Sequence, residues 1–259
     1  MDHGLSTMDK CASSVCTDEW RVVVNEAPRS AVEQMACDER AATEAQPSIR
    51  LFTWHPGISL GWKQPRPAWC EGGDWTVNGL ERVERPTGGG IAFHGSDVSI
   101  AVAIPRALGD SLRTWMRLVC QSAASLCEAY GARASCLFEQ AQASRIAYCL
   151  TERSPYAVLV NGRKIAGFAA RRYPHAWLIQ GSLLVNPLPA ALRIALPAEL
   201  WNSLSARAVS LSEAVQTPIA LADVAHRWAE ILLLNISQKS NRFLSYSGQI
   251  DHQFLQSEN

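Results

Sequence analysis

Lys164 is the residue of this chain whose surroundings best suit chemistry on an anionic or carbonyl-containing ligand. It follows Asn161-Gly162, the dipeptide best suited to a two-residue hairpin turn, so its ammonium is held on a rigid element. Gly167, three residues further on, has no side chain and leaves room for a ligand. A lysine fixed beside such a gap could bind an acyl carbonyl or a phosphate as a point charge. The alternative, an exposed lysine without a function, is common on hairpins.

A second candidate site is the run of three glycines in Arg85-Pro-Thr-Gly-Gly-Gly. Glycine costs backbone entropy and adds no side chain, so packing does not explain three in a row. Gly88, Gly89 and Gly90 leave successive N–H groups open to an anion or a carboxyl-derived group, and Arg85 adds a fork of donors. Flexible surface loops also contain glycine runs. The β-like sequence that follows favours an ordered loop between two strands.

These segments, with a third at 181–184, resemble the catalytic domain of the lipoate–protein ligase and octanoyltransferase family, which is related to the biotin–protein ligases. The family patterns are an arginine with a threonine-containing glycine run and a histidine, a G-R-K-I-x-G strand pair and a G-S-(I/L)-L strand. This chain matches them at 85–94, 162–167 and 181–184. The resemblance covers residues 19–237, and so many separate motifs in the family's order are not expected by chance.

The resemblance implies an α+β fold, a mostly antiparallel central sheet flanked by helices, as in the class II synthetase-like biotin and lipoate ligases. The catalytic domain would span 19–237. Polar sequence without periodicity predicts a disordered leader at 1–18 and a polar C-terminal tail at 238–259. The implied reaction attaches an acyl group to a lysine of a lipoyl domain. The implied substrate-binding residues are Arg85, Gly88, Gly89, Gly90, His94, Gly167, Gly181 and Ser182.

Two routes to that product exist in the family, and Cys149 bears on the choice. An octanoyltransferase takes octanoate from acyl carrier protein, holds it on a cysteine as a thioester and passes it to the lysine. Cys149 lies fifteen residues before Lys164, at the point where the cysteine-type octanoyltransferases have their nucleophile. The Lys164 ammonium would favour the reactive thiolate and stabilise the oxyanion of the tetrahedral intermediate. A buried cysteine without a role is the alternative.

The other route is that of an ATP-dependent lipoate ligase, which activates free lipoate as an adenylate and would use ATP and Mg²⁺. The transferase would need no cofactor. After His94, the sequence from Asp97 to Val102 is closer to the transferase form. Phe168 and Gln180 replace the serine and histidine usual in the family, which raises a third hypothesis, a non-catalytic relative that binds a lipoyl domain. His94 itself could accept a proton or be satisfied inside the core.

Composition predicts a cytoplasmic protein. The 259 residues carry 24 basic and 24 acidic side chains, so no net field favours nucleic acid or an anionic membrane. No segment has the pattern of a membrane span or a signal peptide. The eight cysteines lack the spacing of a metal or redox site and predict free thiols. With the resemblance, the expected partners are acyl carrier protein and lipoyl-domain proteins such as glycine cleavage H protein or 2-oxoacid dehydrogenase subunits.

The elements that position these motifs follow from hydrophobic periodicity. Residues 156–185 are expected to form three strands joined by two turns, with Lys164 next to the first turn. Proline and glycine predict a loop at 65–80. Periodicity further predicts strands at 20–24 and 49–55 and amphipathic helices at 31–45, 111–130 and 219–236.

Overall fold

The computed structural model describes residues 12–16, 20–71, 75, 79–139 and 146–246 of the protein. These residues form eleven β-strands and seven α-helices. The strands are β1 Ala12–Cys16, β2 Arg21–Arg29, β3 Ser48–Trp54, β4 Gly57–Leu60, β5 Glu81–Glu84, β6 Ala92–His94, β7 Asp97–Pro105, β8 Ala134–Leu137, β9 Ala157–Val160, β10 Arg163–Arg172 and β11 Ala176–Leu184. The helices are α1 Ala31–Glu44, α2 Ala68–Glu71, α3 Leu112–Ala129, α4 Ala190–Ala195, α5 Ala198–Arg207, α6 Leu211–Val215 and α7 Leu221–Tyr246.

Eight strands form one large sheet in the order β1-β2-β3-β7-β11-β10-β9-β8. Every neighbouring pair in it is antiparallel except β2 and β3, which are parallel. A second, three-stranded sheet has the order β5-β4-β6. Strand β7 lies near the middle of the large sheet and is buried along almost its whole length, as its nearly continuous apolar sequence requires. The predicted α+β class with a mostly antiparallel sheet is confirmed.

The hairpin that carries Lys164 has the geometry that its sequence predicts. Asn161 and Gly162 both have positive φ, at 51° and 77°, which is the conformation of a type I′ turn. Strands β9 and β10 pair across this turn, and the register shifts between Lys164 and Ala166. Such an irregularity re-aims neighbouring side chains and is common beside functional sites. Strand β11 then pairs with β10 from Ala166 to Arg172.

Helix α1 begins at a capping box, because Ser30 accepts a hydrogen bond from the Glu33 N–H and the Glu33 carboxylate accepts one from Ser30 N–H. Helices α3 and α7 carry most of the apolar residues that pack on the large sheet. Trp228 of α7 is fully buried and donates its indole N–H to the Ser122 hydroxyl of α3 at 2.9 Å, which joins the two helices. None of the helices among the described residues is long and apolar enough to cross a membrane.

Three predicted boundaries differ from the structure. Within the predicted disordered leader, Ala12–Cys16 form β1, because the edge of β2 offers backbone groups for pairing; the rest of 1–18 lies outside the described residues. The predicted loop 65–80 contains the short helix α2. The last helix continues to Tyr246, ten residues beyond the predicted end and into the predicted polar tail. A helix whose apolar face packs on the core can continue into a polar segment, so the hydrophobic periodicity underestimates its length.

Candidate active site

A cavity of about 450 Å³ opens beside β10 and β11 and gathers most of the predicted site residues. Its walls include apolar side chains from α1, α3 and the large sheet, among them Met35, Met116 and Phe168. Lys164 and Gly88 do not line the cavity themselves but contact residues that do. The Lys164 side chain lies next to Gly167, and the Gly88 carbonyl oxygen accepts a hydrogen bond from Arg85. The other predicted site residues line it directly: Arg85, Gly89, Gly90, His94, Cys149, Gly167, Gly181 and Ser182.

Gly167 is the point where the predicted thiol and ammonium meet. A Cβ atom placed on Gly167 would lie 3.1 Å from Cys149 Sγ and 3.3 Å from Lys164 Nζ. The sulfur and the nitrogen are therefore at most about 6.4 Å apart and flank the same side-chain-free space. A side chain at residue 167 would crowd both groups, so glycine at this position keeps the thiol and the ammonium accessible to each other and to a ligand.

Lys164 is a buried cation, with 4% of its surface exposed. Its Nζ donates to the Ser154 hydroxyl at 2.6 Å and to the Glu152 carbonyl oxygen at 3.1 Å. Among the described residues no carboxylate forms an ion pair with it. A buried ammonium without a counter-ion is costly, and two neutral acceptors leave one of its three donors for a ligand.

The loop that carries Cys149 is clamped by backbone hydrogen bonds. Cys149 N–H donates to the Ile91 carbonyl and Ile91 N–H donates to the Ala147 carbonyl, both at 2.8 Å. The Glu152 carboxylate accepts hydrogen bonds from the N–H groups of residues 147 and 148 at 2.9 and 3.0 Å. Gly90 must be glycine, because its Cβ would lie 2.9 Å from the Ala147 backbone. The thiol is thus held against the end of the glycine loop.

Arg85 lines the cavity, but its guanidinium hydrogen-bonds within the fold. Its Nη1 donates to the Ser59 carbonyl and hydroxyl oxygens at 2.9 and 3.2 Å, and its Nη2 donates to the Gly88 and Gly90 carbonyl oxygens at 2.8 and 2.7 Å. The fork of donors therefore holds the glycine loop instead of facing a ligand. Arg85 is also buried, and burial lowers the pKa of its guanidinium. A negative charge on Cys149 acts in the opposite direction and raises that pKa.

The glycine loop has backbone amides that make no hydrogen bond to the described residues. Among the hydrogen bonds of the described residues, none uses the N–H of Gly88, Gly89 or Gly90. Gly89 has a φ of 95°, and a Cβ on Gly61 would overlap the Gly89 carbonyl oxygen, so the loop lies tightly on the turn after β4. Open N–H groups held in a fixed conformation suit a carboxylate, a phosphate or an oxyanion.

Replacing Arg85 by lysine should therefore destabilise the fold. One ammonium cannot span the carbonyl groups of Ser59, Gly88 and Gly90, so buried acceptors lose their donors. We expect the free energy of unfolding to fall by about 2–4 kcal/mol, measured by urea titration. Arg113→Lys, an exposed arginine at the same cavity, is the matched control and should change it by less than about 0.5 kcal/mol. An equally stable Arg85→Lys variant would contradict the assigned contacts.

His94 lies in a buried polar chain that the sequence did not predict. Its Nε2 lies 2.8 Å from the Ser59 hydroxyl and its Nδ1 lies 2.9 Å from Asp97 Oδ2, while its ring stacks on Trp54 with centroids 4.0 Å apart. Asp97 Oδ2 also accepts the Ser182 hydroxyl proton at 2.6 Å. Burial acts to raise the pKa of Asp97, but His94 and the hydrogen bonds it accepts outweigh burial and lower that pKa. Asp97 is therefore ionised.

Comparison with known proteins identifies the family. The family model "Lipoyl protein ligase A/B catalytic domain" matches residues 27–233. The chain belongs to this family. It is similar to octanoyltransferase LipM of Symbiobacterium thermophilum, with 28% identity over 231 residues, 81% of this chain and 84% of the relative. LipM of Kyrpidia tusciae is 28% identical over 233 residues, 82% of this chain and 85% of the relative.

Solved structures of lipoyl protein ligases share the fold. A lipoate-protein ligase A bound with ATP superposes with a TM-score of 0.65 at 19% identity, over 86% of each chain. A bi-partite lipoate protein ligase from Thermoplasma acidophilum superposes with a TM-score of 0.62 at 17% identity, over 86% of this chain and 84% of the other. The fold that the resemblance implied is confirmed by these structures.

Two departures from the usual pattern of this family are accommodated by packing. The ring of Phe168, where the lipoyl ligases usually have serine, lies over Gly181 and meets Trp228 edge-on, with centroids 6.2 Å apart. Gln180, where they usually have histidine, accepts the Thr87 hydroxyl proton at 2.7 Å and donates to Asp38 at 2.6 Å. Neither replacement removes the thiol, the ammonium or the glycine loop from the cavity.

The Gln180 bridge links the glycine loop to α1. Burial raises the pKa of Asp38, and its ion pair with Arg50 and its hydrogen bond from Gln180 offset only part of that effect. Arg50, on β3, also donates hydrogen bonds to Gln34, which lies on α1 as Asp38 does. Gln180 thus satisfies a buried carboxylate and a buried hydroxyl with one amide group. The sequence did not predict Asp38, Ser59 or Ser154 at this site, because only tertiary contacts bring them there.

Gly181→Ala should be destabilising, because its Cβ would overlap the ring carbons of Phe168. That ring is confined by buried Trp228, so it cannot move freely. We expect the free energy of unfolding to fall by about 1–3 kcal/mol, measured by urea titration. In a Phe168→Ala background the same substitution should cost less than half as much. Gly88→Ala, which has open space at its Cβ, is the control; an equal cost in both backgrounds would contradict the overlap.

Proposed function

We propose that this protein is an octanoyltransferase of protein lipoylation that works through a thioester on Cys149. The observation that carries the proposal is that Cys149 Sγ and Lys164 Nζ both lie within 3.3 Å of the position that a Gly167 Cβ would occupy, beside a cavity with largely apolar walls. A nucleophile and a cation that border the same position are the two groups that acyl transfer needs. The LipM relatives are named octanoyltransferases, which supports the same reaction.

The reaction would proceed in two balanced steps. The Cys149 thiolate attacks the acyl carbonyl of the donor thioester, a new C–S bond forms, and the donor sulfur leaves and takes up a proton. The amine of the acceptor lysine then attacks the enzyme thioester. An amide C–N bond forms, the bond to Cys149 breaks, and the amine proton passes to the cysteine sulfur. Both tetrahedral intermediates carry an oxyanion beside Lys164.

The charges of the cavity favour that oxyanion. Lys164 and Arg85 are both buried, and neither forms an ion pair with a carboxylate among the described residues. Buried cations without counter-ions stabilise negative charge that develops next to them, because little water screens the interaction. The N–H groups of Gly88, Gly89 and Gly90 carry partial positive charge and would also stabilise an anion close to them. The thiolate and the oxyanion are the negative charges that the proposed reaction supplies.

The size and lining of the cavity suit a medium-length acyl chain. Its volume of about 450 Å³ lies in the range of small-molecule sites. Met35, Ile100, Leu112 and Met116 offer apolar contacts to methylene groups. His94, Gly181 and Ser182 line the same space and would limit the position of the chain. We infer acyl carrier protein as the donor and a lipoyl-domain protein, such as glycine cleavage H protein or a 2-oxoacid dehydrogenase subunit, as the acceptor.

The test follows the mass of each partner. The full chain is mixed with octanoyl acyl carrier protein, then with an apo lipoyl domain, and both products are read by intact mass spectrometry. We expect one octanoyl group on the enzyme, then one on the lipoyl domain, with no ATP added. An enzyme that gains no octanoyl mass and modifies no lipoyl domain would overturn the proposal.

An ATP-dependent lipoate ligase is the second candidate, because a solved structure of the same fold is a lipoate-protein ligase A bound with ATP. It predicts lipoate-dependent release of pyrophosphate with Mg²⁺ and ATP, and this release would not need the Cys149 thiol. The same assay with lipoate, ATP and Mg²⁺ separates the two reactions. A protein that turns over neither donor would support a non-catalytic lipoyl-domain-binding relative.

A further inference from the structure

Ser59, His94 and Asp97 form a linear chain of hydrogen bonds in the wall of the cavity. Ser59 Oγ lies 2.8 Å from His94 Nε2, and His94 Nδ1 lies 2.9 Å from Asp97 Oδ2. This is the connectivity of a serine nucleophile, a histidine base and an aspartate that orients the base. We propose that Ser59 is a second acyl-accepting nucleophile of this protein, activated by His94, and that it hydrolyses small acyl esters or thioesters that enter the cavity.

The protonation of the chain follows from its neighbours. Asp97 accepts hydrogen bonds from the Ser182 hydroxyl at 2.6 Å, the Ser99 hydroxyl at 3.0 Å and the Gly95 N–H at 3.0 Å, all of which favour its ionised form. In the proposed catalytic state His94 is neutral, and the ionised Asp97 holds its ring proton on Nδ1. Nε2 then carries a lone pair, so the Ser59 hydroxyl donates to it. This is the state in which a histidine removes a proton from serine.

The ring of His94 is fixed in that orientation. Trp54 stacks on it with an interplanar angle of 17°. The Trp54 indole N–H donates to the Ser99 hydroxyl at 2.8 Å, and that hydroxyl in turn donates to Asp97. The stacking partner is therefore fixed by the same hydrogen bonds that hold Asp97. A base held by stacking and by a carboxylate loses little entropy when it accepts the proton. Ser59 and His94 both line the cavity, which places them next to the space that an acyl group would occupy.

Arg85 completes the arrangement around Ser59. Its Nη1 donates to Ser59 Oγ at 3.2 Å, which favours the alkoxide character that develops during attack. The open amides of Gly88 to Gly90 lie on the same loop that Arg85 holds. The site therefore has a nucleophile, a base and a buried cation on elements other than those that carry Cys149 and Lys164.

The proposed reaction is balanced with water as the second reactant. Ser59 Oγ attacks the acyl carbon, His94 Nε2 takes the hydroxyl proton, and the alcohol or thiol leaving group departs with that proton. Water then attacks the serine ester, with its proton passing to His94. The acyl group leaves as a carboxylic acid and Ser59 regains its proton. No step uses Cys149.

The test uses an octyl fluorophosphonate, which reacts with an activated serine to form a stable phosphonate ester and release fluoride. The full chain is labelled in the wild-type and Cys149→Ala backgrounds, the second of which removes the competing thiol. We expect one adduct by intact mass in both, mapped by peptide sequencing to Ser59. No adduct, or an adduct at another residue of the wild type, overturns the proposal whether or not any variant folds.

Variants then separate catalysis from structure. Ser59→Ala should abolish labelling, and His94→Gln should slow it by at least about 100-fold. Asp97→Asn should slow the labelling rate per folded molecule about 100-fold, since Asp97 is a positioning residue; an unchanged rate per folded molecule would mean a structural role only and would overturn its assignment. Ser135→Ala, an exposed serine, should label at the wild-type rate. Hydrolysis of p-nitrophenyl octanoate should fall in the same order.

Discussion

Cys149→Ser is expected to abolish the acyl-enzyme and to lower the rate of octanoyl transfer by on the order of 10³-fold or more. Serine has nearly the volume of cysteine, so the backbone clamp around residue 149 is retained. Its hydroxyl, however, has no adjacent base among the described contacts, and Lys164 donates to Ser154 and Glu152 instead of accepting a proton. An alkoxide is far harder to form than a thiolate, and the first step of the reaction therefore stops.

The measurement is a single-turnover reaction with octanoyl acyl carrier protein, followed by intact mass. Cys37→Ser is the matched control, because Cys37 is a partly buried free thiol on α1 that does not line the cavity, and its acyl-enzyme should form at the wild-type rate. If Cys149→Ser still carried octanoate to the lipoyl domain at a comparable rate, the thioester route would be wrong. Loss of transfer with retained lipoate-dependent pyrophosphate release would assign the protein to the ligases.

The elements that position this thiol are those that local sequence determines well. Asn161-Gly162 specifies the turn between β9 and β10 because both residues tolerate positive φ, and the hairpin forms as predicted. The helix predicted at 111–130 is observed at Leu112–Ala129, because one apolar stripe faces the sheet. Gly167 was predicted to leave space for a ligand, and it is the glycine at which the sulfur and the ammonium converge. Such features depend on a few neighbouring residues.

The contacts that distinguish roles within the cavity depend on residues far apart in the chain. Gln180 accepts a hydrogen bond from Thr87, which lies 93 residues earlier in the chain. The presence of glutamine where the family usually has histidine gave no indication of this contact. Arg85 was expected to face the substrate, but the carbonyl groups of Ser59 and the glycine loop take its donors. A guanidinium satisfies whichever buried acceptors the fold brings near, and periodicity does not report them. The residue types of the site are therefore predictable, whereas their hydrogen bonds are not.

Lys164→Met is expected to slow formation of the acyl-enzyme by about 10²–10³-fold while leaving the folded protein as stable as the wild type or more stable. The two effects have different causes. The ammonium lies within reach of the oxyanion above Gly167, and removal of one oxyanion donor costs a factor of this size. In the resting protein the same ammonium is buried, and no carboxylate of the described residues pairs with it, so its removal relieves a desolvation penalty that exceeds the two hydrogen bonds it makes.

Both signs are measurable on one preparation, by urea titration and by single-turnover acylation at saturating octanoyl acyl carrier protein. Lys63→Met, which removes a charge from an exposed position, is the control and should change the rate by less than about twofold. A variant that is both slow and strongly destabilised would mean that Lys164 supports the fold through Ser154 and Glu152. A stable variant with normal acylation would remove Lys164 from the mechanism. Only a stable but slow enzyme shows that the buried charge is retained for its effect on the developing oxyanion, at the expense of stability.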